Sequence, residues 1–232
     1  MTTIAFGDEK KVNTMKAYEP YIAMAQSVSN LTFQEVYLID LVDKKVVYAS
    51  DTLLQRSGDD TVLSETPISL GQPELNAIAA VAAQYKAATP EKRKGFVLHI
   101  HTRWHGQDTM ASHKLTIIHS DKQGNPQLVM GVVSPSVRER EESIVFRFAD
   151  EDTLYRYQHE TGLWTRHPLP HLTNNEIAML RLTLQGHSLE AIGRLMYKSP
   201  ESVKYYRRQV FEKLNVRNIT EALVVAADYC LL

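Results

Sequence analysis

The chain is poor in the residue types that most chemistry requires. It has one cysteine, Cys230, in 232 residues, which excludes an intramolecular disulfide and any all-cysteine metal site. That cysteine sits in an apolar C-terminal stretch, the usual setting of a buried, inert thiol. The ten glycines are scattered, no two closer than seven positions, so no glycine-rich loop is available to cradle a phosphate. Neither G-x-S-x-G nor H-E-x-x-H occurs, and no residue is assigned a catalytic role. No apolar run approaches the ~20 residues of a membrane span, and residues 1–13 lack the apolar core of a signal peptide. The expectation is a cytoplasmic protein that is not an enzyme.

What is present in quantity is ordinary globular material with an uneven charge. Apolar residues make up 44% of the chain, enough for a real core, and the length suits two domains. The formal net charge is −1. Between Leu172 and Arg217, however, eight Lys/Arg face four Glu, a local charge of +4, so the rest of the chain carries −5. A basic module on an acidic body is the layout of a nucleic-acid-binding unit joined to a separate sensing unit.

The N-terminal half reads as α+β. A helix is predicted over residues 13–28, then strands over 33–40 and 45–49 joined by the Asp43-Lys44 turn. Residues 51–72, with Gly58, Pro67 and Gly71, read as short helices and loops. A helix follows over 73–88, with Pro73 in its first turn and Leu75, Ile78, Ala82 and Tyr85 at helical spacing. Strands are predicted over 95–104, 109–120 and 127–134, separated by turns at His105–Asp108 and Asp121–Pro126. This order of two strands, helices and three antiparallel strands, with the segment KKVVYASDTLLQRSG, resembles the PAS fold over residues 30–136. The resemblance implies a five-stranded sheet with helices across one face.

A charged run over residues 137–142 marks a boundary. Strands are predicted over 144–149, 153–158 and 163–166, with a hairpin turn at His159–Gly162, and Pro168 and Pro170 stiffen the exit. The expected division is a PAS-like sensing or dimerisation domain over 1–136, a β-hairpin connector over 137–170 and a four-helix module over 171–232.

Histidines cluster in the N-terminal half. His99 and His101 share one face of a strand, His105 follows at the turn, and His113 and His119 lie on the next strand. Such a pair can hold a metal only if a third ligand converges. The expectation is instead a polar strand face, with Phe96, Leu98, Ile100 and Trp104 supplying the core behind it. Flavin photochemistry of the PAS kind needs a cysteine in this half, and a PAS haem needs an axial histidine on the 73–88 helix; the sequence has neither. No metal and no cofactor are predicted. The carboxylates Asp150, Glu151 and Asp152 read as a solvated turn.

The last sixty residues carry the most specific pattern. Thr173 is placed to N-cap a helix, with Glu176 completing a capping box. Ile177, Leu180 and Leu184 are its expected buried stripe, and Gly186 ends it. Ser188 caps a second helix with Ile192 and Leu195 facing inward. Ser199 caps a third with Pro200 in its first position, and Val203, Tyr206, Val210 and Leu214 form its inner face. Lys204 and Arg208 are left one turn apart on the outer face, flanked by Tyr205 and Arg207. Thr220 is expected to cap a fourth helix running to about Cys230.

These residues resemble the LuxR/GerE-type helix-turn-helix over 172–226. The matching positions are Leu172-Thr173, Glu176, Leu180, Gly186, Ile192, Ser199, Ser202-Val203-Lys204, Lys213-Leu214 and Asn215 to Ala222. The resemblance implies a transcriptional regulator of duplex DNA. It places Lys204, Tyr205 and Arg208 at base edges, and Ser202 and Arg207 near the phosphate backbone. Lys198, where the family usually has an apolar residue, implies an altered set of phosphate contacts. The fourth helix is apolar nearly all round through Leu223, Val224 and Ala227. The resemblance implies that it makes the contacts of a homodimer on an approximately palindromic operator, and burial against the chain's own N-terminal half accounts for the same apolar surface equally well. A small-molecule ligand of the N-terminal half and a contact with RNA polymerase complete the expected partners. The competing reading is a protein-interaction adaptor that has kept the helix-turn-helix fold.

Overall fold

A computed structural model of the chain describes residues 7–57, 70–104, 109–136, 142–229 and 231–232, with side chains from residue 17 onward except at 56 and 57. The expected loop around Gly58 and Pro67, the His105–Asp108 turn, the charged run over 137–141 and Cys230 lie outside the described residues.

The described chain divides into two compact units: residues up to 150 with 155–165, and 151–154 with 166–232. The first is built on an antiparallel sheet. After α1 (Gly7–Thr32) come β1 (Glu35–Asp40), β2 (Lys45–Ala49), α2 (Asp51–Ser57), α3 (Gln72–Ala87) and α4 (Pro90–Lys94). Then follow β3 (Val97–Arg103), β4 (Met110–Ser120), β5 (Pro126–Pro135), β6 (Ser143–Arg147), β7 (Thr153–Gln158) and β8 (Leu163–Pro168). The strands form one eight-stranded sheet in the order β2-β1-β5-β4-β3-β6-β7-β8. The α+β class expected for this half is what the fold shows.

Alternation along the strands builds two apolar layers. Tyr37 and Ile39 of β1, Leu98 and Ile100 of β3 and Leu115 of β4 join Ala77, Ile78, Val81 and Tyr85 of α3 in the larger core. Val36 and Leu38, on the opposite face, meet Tyr18, Ala25 and partly buried Tyr21 and Ile22 of α1. The strands read as a connector extend this same sheet, because β6 pairs with β3 in register Ile100↔Ile144. Ile144 and Phe146 alternate into the larger core, and β3 would otherwise leave a ladder of N–H and C=O groups unpaired at its edge.

Three further differences have local causes. α1 is longer than expected at both ends. α4 was not predicted; Thr89 caps it by accepting from the Lys92 N–H. Its Arg93 then donates from Nε to the carbonyls of Tyr85 and Ala88 and from Nη2 to that of Lys86, satisfying the open end of α3. The histidine face is also not solvated: His99 and His101 are 1% and 5% exposed. Leu98, Ile100, Phe96 and Trp104 do supply the core on the other side. His113 and His119, six residues apart on one strand, face opposite layers because the β4–β5 register shifts between Ile117 and His119. His113 meets Tyr37, while His119 Nδ1 lies 2.8 Å from the Tyr21 hydroxyl of α1. Among the described residues no three His, Cys, Asp or Glu side chains are grouped to hold a metal, and no helix is long and apolar enough to cross a membrane.

A candidate nucleic-acid interface

The second unit carries four helices: α5 (Asn174–Leu184), α6 (Leu189–Met196), α7 (Pro200–Leu214) and α8 (Ile219–Asp228). Their boundaries are set by capping side chains. At α5 the Thr173 backbone N–H donates to Glu176 Oε2 at 2.7 Å while the Thr173 hydroxyl accepts from the Glu176 N–H. The capping box is therefore closed in both directions. Gly186, at φ +84, turns the chain out of the helix as its N–H donates to the Thr183 carbonyl. Ser188 caps α6 through Ala191, and Ser199 caps α7 through Ser202 with Pro200 in the first turn. α8 is capped by Asn218, which accepts from the Glu221 N–H at 2.9 Å, rather than by Thr220. The Glu221 carboxylate accepts in return from the Arg217 N–H and the Asn218 amide, and this reciprocal bonding places the start earlier.

The buried faces differ from the expected stripes at two leucines. Met179 and Leu180 are buried on α5, while Leu184, at the last helical position, is 65% exposed. On α6, Ile192 and Gly193 are buried and Leu195 is 53% exposed. A helix of eight residues turns only one narrow face inward, and Leu195 lies off it. Gly193 has a packing reason: a Cβ there would lie 2.9 Å from the Lys198 carbonyl, so the turn into α7 closes directly against α6. Val203, Val210 and Leu214 of α7 and Ala222, Val225 and Ala226 of α8 complete the core, with Tyr206 half-buried.

One polar pair anchors this core. Glu176 is 3% exposed, and its two carboxylate oxygens accept from Lys213 Nζ at 2.9 and 2.7 Å. The start of α5 is thereby tied to the end of α7. Burial pushes the Glu176 carboxyl up. The Lys213 ammonium, with the Thr173 N–H and hydroxyl, outweighs burial and holds it below the usual range. Sequence reasoning noted both residues without pairing them. The signal available was a capping-box carboxylate with lone pairs beyond those its N-cap can use.

What remains outside is the cationic face of α7. Lys204 and Arg208 are exposed, and Tyr205 is half-exposed beside them. The Arg208 guanidinium lies over the Tyr205 ring at 5.7 Å, a cation–π contact that restricts both side chains. Arg207 and Ser202 are half-buried, and the Ser202 hydroxyl lies 3.0 Å from that of Ser199. Lys198 is exposed in the turn before α7, next to Tyr197, which is 94% exposed in a left-handed conformation at φ +55. Arg194 of α6 is exposed too, a cation that sequence reasoning counted but gave no role. Glu190 is held below its usual range by its own backbone N–H and by the Ser188 hydroxyl, with Lys204 and Arg194 adding to the effect. On α8, Leu223 and Val224 are half-buried and Ala227 is exposed.

Capped helices around a small core, holding one cationic helix outward, define a helix-turn-helix module. Residues 170–226 match the family GerE, described as bacterial regulatory proteins of the luxR family. This part of the chain is a GerE/LuxR-family helix-turn-helix domain. No curated protein sequence matches the chain. Among solved structures it is similar to VqmA bound to DPO, at 16% identity over 87% of this chain and 84% of that one, with a TM-score of 0.30. It is also similar to a Vibrio cholerae VqmA dimer in the absence of target DNA, at 17% identity over 88% and 86%, TM-score 0.30. SdiA in complex with octanoyl-rac-glycerol follows, at 12% identity over 97% and 96%, TM-score 0.28.

Proposed function

We propose that this protein is a LuxR-type transcriptional regulator that reads a specific duplex DNA site with α7. The carrying observation is the outer face of α7: Lys204, Tyr205 and Arg208 stand free of the core while Val203, Val210 and Leu214 anchor the helix behind them. A helix of ~10–12 Å diameter enters the major groove, where Arg and Lys suit guanine O6 and N7. Arg207, Ser202 and Lys198 lie beside this face and take phosphates. The adaptor reading would leave this cationic face without a task.

Residues 1–136 are read as the sensing and dimerising part, 137–170 as the connector and 171–232 as the DNA-binding part. Five antiparallel strands with α2 to α4 support the PAS-like reading. Leu223, Val224 and Ala227 lie off the buried side of α8 and suit a homodimer on an approximate palindrome, with half-sites one helical turn apart. RNA polymerase is the partner such a regulator would meet at a promoter.

The test is duplex binding by the full-length protein, with a site selected from random fragments. Arg208→Ala and Lys204→Ala should each cost about 1–3 kcal/mol on the selected site with the circular dichroism unchanged. Affinity for any duplex should fall with salt at about −0.9 per phosphate neutralised. Absent or salt-independent binding would overturn the proposal.

A further inference from the structure

The first unit carries a basic end of its own, apart from the four-helix module. Residues 86–94 hold Lys86, Lys92, Arg93 and Lys94 against one acid, Glu91, a local charge of +3. Outside residues 172–217 the chain carries −5, and without this segment it carries −8. These cations therefore stand on an acidic body.

Three separate elements bring them together. Lys86 lies in the last turn of α3, Lys92 to Lys94 lie on α4, and Lys122 lies in the turn between β4 and β5. Arg93 joins the first two: its Nη2 donates to the Lys86 carbonyl at 2.6 Å, and its Nε to those of Tyr85 and Ala88 at 3.1 and 3.0 Å. It meets the third as well, because a Cβ on Gly124 would lie 2.9 Å from its Nη1. Lys86, Lys94 and Lys122 are exposed, while Lys92 and Arg93 are half-buried.

The acid beside them is already engaged. Asp121 Oδ1 accepts from the Gln123 and Asn125 N–H groups, and Oδ2 accepts from the Asn125 side chain. The Asn125 side chain does most to hold this carboxyl below its usual range, and the Lys86 ammonium adds to the effect. Helix dipoles account for a cation at the end of α3 and another at the end of α4, but not for five cations meeting at one end of the sheet. Among the described residues, none of the exposed large apolar side chains lies in residues 86–94 or 121–125. A protein partner would require such an anchor near the centre of its interface. A row of phosphates requires only charge.

We propose that this basic end of the first unit binds the phosphate backbone of duplex DNA outside the site that α7 reads. Lys86, Lys94 and Lys122 meet the phosphates, and Arg93 holds their three segments together. Such contacts carry no base sequence. They add affinity, and on a body otherwise repelled by DNA they choose which end faces the duplex. The proposal deepens the DNA reading given above and rests on it.

The test uses full-length protein and two duplexes: the selected site trimmed to its ends, and the same site with ~15 bp of arbitrary flank on each side, about one and a half helical turns. Wild type should bind the longer duplex at least about tenfold tighter at ~50 mM salt, whatever the flanking sequence. Three phosphate contacts steepen the salt dependence by about 2.7, so most of this advantage should be gone by ~200 mM salt. The triple variant Lys86→Gln/Lys94→Gln/Lys122→Gln alters only exposed side chains. It should bind the short duplex within about twofold of wild type and lose the advantage of the long one. The same ratio of long to short binding in both proteins, dependence on the flanking sequence, or equal weakening on both duplexes overturns the proposal. So does binding of polyglutamate, but not of flanking duplex, through the three lysines, the result an acidic protein partner would give.

The double variant Lys204→Ala/Arg208→Ala separates this proposal from the reading of α7, since it should lose site preference yet keep the lysine-dependent part of long-duplex binding. Site-specific binding that ignores the three lysines rejects the basic end alone. Long-duplex binding that needs the lysines, in a wild-type protein with no site preference, rejects the α7 reading and leaves the basic end standing. No binding to either duplex rejects both.

Discussion

Replacing Lys213 by methionine tests how the α7 face is held in place. Lys213 donates to both oxygens of Glu176 at 2.7 and 2.9 Å; its side chain is 32% exposed and that of Glu176 is 4% exposed. Methionine keeps the length of the stem and removes the charge. A hydrogen bond to a charged group contributes about 1.5–3 kcal/mol, and the partial exposure of the ammonium places the loss at the lower end, about 1.5–2 kcal/mol. That corresponds to roughly a ten- to thirtyfold rise in opening of the helical unit, read as faster amide hydrogen exchange at Val210 and Leu214 in the full-length protein. The substitution also has a pH signature. The carboxyl of Glu176 titrates below its usual range when folded, so its contribution is present above the unfolded value of ~4.3 and is lost as pH falls through the folded value. In Lys213→Met, burial, the largest influence and one that raises the pKa, is opposed by Thr173 alone. The acid loss of protection should therefore become shallower than in wild type. Unchanged exchange at pH ~6, or the same acid profile in both proteins, would refute this account of the pair.

Three other outcomes follow from single positions. Gly131→Ala sets a Cβ 2.1 Å from the ring of Tyr37, itself fully buried, and should cost about 3 kcal/mol or more, seen as a lowered unfolding midpoint by fluorescence of Trp104 and Trp164. His113 has a folded pKa of about 3, below the unfolded ~6.5, so its stabilising share is complete above pH ~6.5 and is lost as pH falls from there toward the folded value. At 1.36 kcal/mol per unit, pH ~5 should cost about 2 kcal/mol, and His113→Leu should remove that slope from urea titrations of the first unit. Tyr197, 94% exposed at φ +55, should accept glycine with a gain of roughly 0.5–1 kcal/mol, visible as slower exchange at the start of α7.

Sequence alone determined most of what is local. Thr173, Ser188 and Ser199 were legible as caps because capping joins residues three apart, and the acidic body with a basic end was legible from composition. Val203, Val210 and Leu214 behind Lys204 and Arg208 followed from helical period. The misplaced features are those that depend on what lies opposite. Leu184 and Leu195 have the right spacing to be buried, but the core they would enter ends before reaching them. Thr220 and Asn218 are both acceptable caps, and the reciprocal bonds to Glu221 decided between them. The strands after residue 142 carried the right period but no mark of their partner, which proved to be β3. Tertiary structure also made the two pairs on which the predictions turn: Tyr37 with His113 across 76 residues, and Glu176 with Lys213 across 37. Caps and periodicities are short-range and written in neighbouring letters. Such pairs arise only when strands and helices close over long stretches of chain, and that closure decides which polar groups are buried, and so which are left wanting a partner.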